Sequence, residues 1–117
     1  NIINSQVNGK NVIIVDDSIV RGNTMRHIVK LLKKNGVNKV IVVSCAPMIR
    51  FPNIYGIDVS SHKELISHKH SIEDIEKEMG IEKLIYQDLD DLLQLFHKLN
   101  PNIQHYETSL FNGIYLE

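Results

Sequence analysis

The feature that most narrows the fold is an alternation: a run of Val and Ile, a segment of helical period, then a second apolar run. Asn11 to Val15 and Lys39 to Cys45 are rich in β-branched residues, whose stiff side chains suit a pleated strand. Neither run alternates apolar with polar, so both are predicted to be strands buried on both faces. Between them Met25, Ile28, Val29 and Leu32 recur at helical spacing, while Lys30, Lys33 and Lys34 face water. Those lysines suit the negative end of a helix, and Gly36 stops it. A strand, a crossover helix and a second strand joined in this way lie parallel. The predicted class is therefore α/β, a mostly parallel sheet flanked by helices.

Beyond the second strand, Ala46 to Gly56 contains Pro47 and Pro52 and reads as a surface loop. Three short helices follow, each announced by a capping residue with an acid three positions on: Ser61 with Glu64, Ser71 with Asp74, and Asp88 with Asp91. Lys83 to Tyr86 is a short third strand between the last two. Leu89, Leu92, Leu93 and Phe96 share one face of the final helix, which Asn100-Pro101 ends. The stretch from Gln104 to Leu116 reads as extended. No repeat, linker or low-complexity tract divides the 117 residues, so they are expected to form one domain or part of one. The chain opens on Asn1 rather than a start methionine and stops directly after Gly113-Ile114-Tyr115-Leu116, which suggests a segment of a longer polypeptide.

Thirteen Lys and Arg against fourteen Asp and Glu leave a net charge of -1. No global field attracts nucleic acid or an anionic membrane, so a small anionic ligand needs a local site. No stretch approaches the apolar length that spans a bilayer. One cysteine, Cys45, rules out an internal disulfide and suits a reducing cytoplasm. Within its apolar run it reads as a buried small hydrophobe. His68-Lys69-His70 lacks a third ligand in register and reads as a surface turn. His27 and Arg26, in the helix after the first loop, are weaker candidates for contact with a ligand or partner. Arg50 could meet a neighbouring domain or a regulatory nucleotide.

The chemistry concentrates at Asp16-Asp17-Ser18-Ile19-Val20-Arg21-Gly22-Asn23-Thr24. Two carboxylates stand at the carboxyl end of a strand, where an open parallel sheet forms its ligand crevice. Charges there are costly unless neutralised, and Mg²⁺ together with a polyol would do so. Immediately after, Ser18 to Thr24 supplies two hydroxyls, a guanidinium and a glycine, and runs into the first turn of a helix. Unpaired N–H groups and the positive helix end point at an anion, and Gly22 lets the backbone come close. A phosphorylated pentose would span the acids and this cradle.

These residues resemble the binding motif of the type I phosphoribosyltransferases, and more narrowly the form found in the amidophosphoribosyltransferases. Ala46-Pro47, Ile49 to Asp58, Leu84 to Leu89 and Phe111 to Tyr115 are similar to that family as well, so the resemblance runs over nearly the whole chain from Lys10. It implies part of a type I phosphoribosyltransferase domain, and transfer of glutamine-derived nitrogen to C1 of phosphoribosyl pyrophosphate in the first step of de novo purine synthesis. By the same resemblance Asp16 and Asp17 hold the ribose hydroxyls, help bind Mg²⁺ and stabilise positive charge developing at C1. Ser18, Val20, Arg21, Gly22, Asn23 and Thr24 hold the 5-phosphate. Glutamine would be handled by an N-terminal domain absent from this chain, and the pyrophosphate-binding loops would lie upstream, so the segment alone is expected to be inactive. Purine nucleotides are implied as feedback inhibitors and a homo-oligomer as the state of the parent. Some members carry a cysteine-ligated iron–sulfur cluster; with Asn53, Glu107 and Leu110 where thiols are expected, none is predicted here.

Two rivals remain open. A phosphorylation-dependent receiver module also ends its first strand in paired acids, but it needs an aspartate at the end of a later strand, where this chain has Ser44-Cys45-Ala46. A non-catalytic regulator built on the transferase scaffold would keep the same motif.

Overall fold

The computed structural model describes residues 4–52 and 70–115. The order of elements is α1 (Asn4–Val7), β1 (Asn11–Asp16), α2 (Asn23–Lys34), β2 (Lys39–Ser44), α3 (Ile72–Met79), β3 (Lys83–Ile85), α4 (Leu89–Leu99) and α5 (Ser109–Asn112). The three strands form one parallel sheet in the order β1-β2-β3. Asn11 pairs with Lys39 and Asp16 with Ser44, so the two principal strands end level.

The helical period predicted for α2 is realised: Met25, Val29 and Leu32 are buried. They pack on Val40 and Val42 of β2 together with Ile75 and Met79 of α3. The capping box at Ser71 is present, the Ser71 hydroxyl accepting from the Asp74 N–H and the Asp74 carboxylate accepting from the Ser71 N–H. Asp88 caps α4 by accepting from the Asp91 N–H at 2.9 Å. The helix expected from Ser61 with Glu64 lies outside the described residues.

The strands depart from expectation in one respect. β1 and β2 are not buried on both faces. Val40, Val42 and Ser44 turn toward the helices and are buried, whereas on the opposite face Ile13 is 63% and Val15 65% exposed. Side chains alternate along a strand, and among the described residues α2 and α3 pack on one side of the sheet only. An all-apolar run shows that both faces suit burial, not that this stretch of chain carries both covers. Cys45 is exposed for a related reason: it lies just past β2, next in alternation to the buried Ser44. The apolar stripe of α4 is likewise only partly covered, with Phe96 exposed and its ring tilted against that of Tyr106 at a centroid distance of 5.3 Å. The segment from Gln104 contains one helical turn, α5, rather than being extended throughout.

Candidate functional site

The loop between β1 and α2 is fixed at both ends and in the middle. At its start the Cys45 N–H donates to the Asp16 carbonyl. In its middle Ile19 drops into the main core, with 3% of its surface exposed. Val20 packs on Ile49 beside Leu110 and Phe111. At its end Gly22 is the N-cap of α2, with φ 77° and ψ 0° and no side-chain capping hydrogen bond. Neither Ser18 nor Thr24 caps this helix, so its first-turn N–H groups are left for another acceptor.

Around this loop lies a cleft of about 370 Å³, lined by the apolar Ile19 and Met25 and by Asp16, Ser18, Val20, Arg21, Gly22, Asn23 and Thr24. The lining includes every predicted site residue except Asp17. Asp17 is the first residue past β1 and does not line the cleft. Asp16 Oδ1 accepts the Asp17 N–H at 2.8 Å, and Asp17 Oδ1 accepts the Ser18 N–H at 2.9 Å. The Ser18 amide is thereby engaged by Asp17, which leaves the hydroxyl as the other Ser18 donor for an anion. Gly22 is buried while Asn23 and Thr24 are exposed at the helix start. The arrangement combines a carboxylate at one wall with uncapped amides and hydroxyls at the other.

No group of three or more His, Cys, Asp or Glu side chains stands together among the described residues. A cation that keeps most of its water and takes one or two carboxylates plus ligand phosphates does not need such a group, and Asp16 with Asp17 fits that donor set. Arg50 lies at a second cleft, of about 310 Å³, with Met48, Tyr86, Gln87 and Asp88. His27, Lys30, Lys33 and Lys34 are exposed, as is His70, whereas His68 and Asn53 lie outside the described residues. Glu107 accepts the Ser109 N–H at 2.8 Å, and Leu110 packs on Ile49.

Sequence reasoning undervalued Arg26 and missed Glu78. The Arg26 side chain reaches back to the loop and also pairs with Glu78 of α3. A signal was present: a cation in the first turn of a helix opposes the helix dipole, and α2 carries no acid in that turn to offset it.

The chain belongs to the phosphoribosyl transferase domain family, whose model matches residues 3–79. Within that family it is 49% identical over 107 residues to the amidophosphoribosyltransferase of Escherichia coli (strain K12), covering 92% of this chain and 21% of the relative. It is 45% identical over 116 residues to that of Pasteurella multocida (strain Pm70), covering 99% of this chain and 23% of the relative. Among solved structures it is similar to the glutamine phosphoribosylpyrophosphate amidotransferase from B. subtilis complexed with ADP and GMP, with a TM-score of 0.81 at 38% identity. That match covers 97% of this chain and 25% of the other. The chain thus spans between a fifth and a quarter of the length of these relatives.

Proposed function

We propose that this chain is the part of an amidophosphoribosyltransferase that binds phosphoribosyl pyrophosphate with Mg²⁺. The whole protein would make 5-phosphoribosylamine, glutamate and pyrophosphate from phosphoribosyl pyrophosphate, glutamine and water, the first step of de novo purine biosynthesis. The observation that carries this reading is one cleft with Asp16 at its acidic wall and the uncapped start of α2 at the other. The likeness to amidophosphoribosyltransferases over 92% to 99% of the chain supports it.

In this reading the amides at the start of α2 and the hydroxyls of Ser18 and Thr24 hold the 5-phosphate, with Val20, Arg21 and Asn23 completing the loop around it. Asp16, with Asp17 beside it, accepts hydrogen bonds from the ribose hydroxyls. The same carboxylates lie where positive charge develops on the sugar as the C1–O bond to pyrophosphate breaks and the C1–N bond forms, and they stabilise that charge. Both would also hold Mg²⁺, whose chemical contribution is to neutralise the diphosphate that leaves. Glutamine would be hydrolysed elsewhere in the parent, and this segment alone would not turn over. Purine nucleotides as feedback ligands, a homo-oligomeric parent and a cytoplasmic location belong to the same reading. No helix among the described residues is long and apolar enough to cross a membrane.

The test is calorimetric titration of the full-length protein with phosphoribosyl pyrophosphate, with and without Mg²⁺, beside Asp16→Asn and Asp17→Asn variants. Metal-dependent binding that both substitutions weaken supports the proposal. Binding indifferent to both substitutions, or stable phosphorylation by acetyl phosphate, would refute it. The receiver alternative finds no acid to modify at the end of β2, where the buried Ser44 hydroxyl donates to the Ala46 carbonyl at 2.9 Å.

A further inference from the structure

Arg26 makes contacts that a solvated helix residue would not make. Its Nη1 donates to the main-chain oxygen of Arg21 at 3.0 Å and to Asn23 Oδ1 at 3.1 Å. Its Nη2 pairs with Glu78 Oε1 on α3 at 2.6 Å. Its Nε is buried without a partner among the described residues, so the position is held at a cost in desolvation. Asn23 and Arg21 both line the cleft, whereas Arg26 and Glu78 do not.

The peptide unit between Arg21 and Gly22 is planar and trans, so its C=O and N–H point in opposite directions. A guanidinium that draws the Arg21 oxygen toward α3 therefore turns the Gly22 N–H the other way. Gly22, at φ 77°, has no Cβ to restrict rotation about its backbone. An external clamp is what a permissive glycine in a binding loop requires.

We propose that Arg26 is a positioning residue: held by Glu78, it fixes the Arg21–Gly22 peptide with its N–H directed to the cleft, and so preorganises the anion cradle without touching the ligand. This rests on the reading of the cleft as a sugar-phosphate site. Preorganised donors bind an anion more tightly than mobile ones, because the ordering cost is met in folding rather than on binding. The ion pair itself lies at the surface, with side-chain exposures of 33% and 45%, and such pairs contribute little stability. Its value lies in the direction it imposes.

The test uses the full-length protein and ribose 5-phosphate as the probe, with binding followed by calorimetry and the melting temperature followed in parallel. Thr24→Ala reports on the cradle itself. Arg26→Met is expected to weaken binding about tenfold, the usual effect of losing a charge-assisted hydrogen bond. Glu78→Gln, at an exposed position, is expected to give a smaller loss with no fall in melting temperature. The charge-swapped double variant Arg26→Glu with Glu78→Arg restores a pair between α2 and α3, yet a carboxylate cannot donate to the Arg21 oxygen. It is expected to melt like the unaltered protein and to bind as poorly as Arg26→Met. Recovery of binding in the swap would reduce Arg26 to a structural tie and overturn the proposal. So would unchanged binding in Arg26→Met and Glu78→Gln when Thr24→Ala binds weakly, an outcome that leaves the phosphate site standing. Failure of the unaltered protein to bind ribose 5-phosphate removes the site and the proposal together.

Discussion

The N–H of Cys45 donates to the main-chain oxygen of Asp16 at 2.9 Å. This bond carries the β1–β2 ladder one residue past β2 and clamps the acidic end of β1 through backbone alone. The Cys45 side chain is not needed for it. Cys45→Ala should change unfolding free energy by no more than about 0.5 kcal/mol, as for other surface substitutions. Cys45→Pro removes the donor and should destabilise the protein by more than about 1 kcal/mol while weakening sugar-phosphate binding. Urea titration compares the two. Because the thiol is exposed, Ellman's reagent should also label Cys45 in the native protein without denaturant.

Gly22→Ala places a Cβ on a residue at φ 77°. A left-handed conformation costs an L-residue about 1–2 kcal/mol, so the variant should lose stability by that amount or relax the loop. Either response disturbs the cradle. Denaturant unfolding and ribose 5-phosphate titration should therefore fail together, and retention of both would contradict the described loop conformation.

Ile19→Ala tests whether the loop is anchored by the core. With 3% of its surface exposed, Ile19 sits among Met25, Ile75 and Leu84. Truncating a buried Ile to Ala costs about 2–5 kcal/mol. The expected result is a lower midpoint of unfolding accompanied by weaker ligand binding, because the same side chain holds Ser18 and Val20 at the cleft.

Glu76 offers a test away from the cleft. Its Oε2 accepts the Leu84 N–H at 2.8 Å, satisfying a donor on β3 from α3. Glu76→Ala leaves that donor without its acceptor on a residue only 2% exposed, and should cost about 1–3 kcal/mol. Glu76→Gln keeps an acceptor and should cost less. Thermal melts of the pair give the comparison.

How far the molecule was legible in the sequence depends on the range of the contacts involved. Strand and helix positions follow from periodicity, and the Ser71 and Asp88 caps follow from residues three positions apart, so both were readable. The acid-to-Thr24 loop was readable because one short stretch holds the whole constellation. What escaped was nonlocal. Glu78 lies fifty-two residues from its partner Arg26, and no spacing rule connects a third-helix carboxylate to a loop peptide. Exposure of Ile13 and Val15 escaped for a different reason: their chemistry asks for cover, and composition cannot say which stretch of polypeptide supplies it. Asp17 falls just past β1 and off the lining of the cleft, yet the resemblance treats the two acids as one unit.

Among the described residues β1 stands at the margin of the sheet, paired with β2 on one side. Among the described residues the carboxylate-bearing tip of the cleft is thus mounted on a border strand, while β2, paired on both sides, carries no residue of the cleft. Marginal strands open more readily than central ones, so amide deuteration should run faster along residues 11–16 than along residues 39–44. An occupant bridging Asp16 and the start of α2 would act as a brace across that border. Slowed deuteration of the first strand would then be a direct record of occupancy.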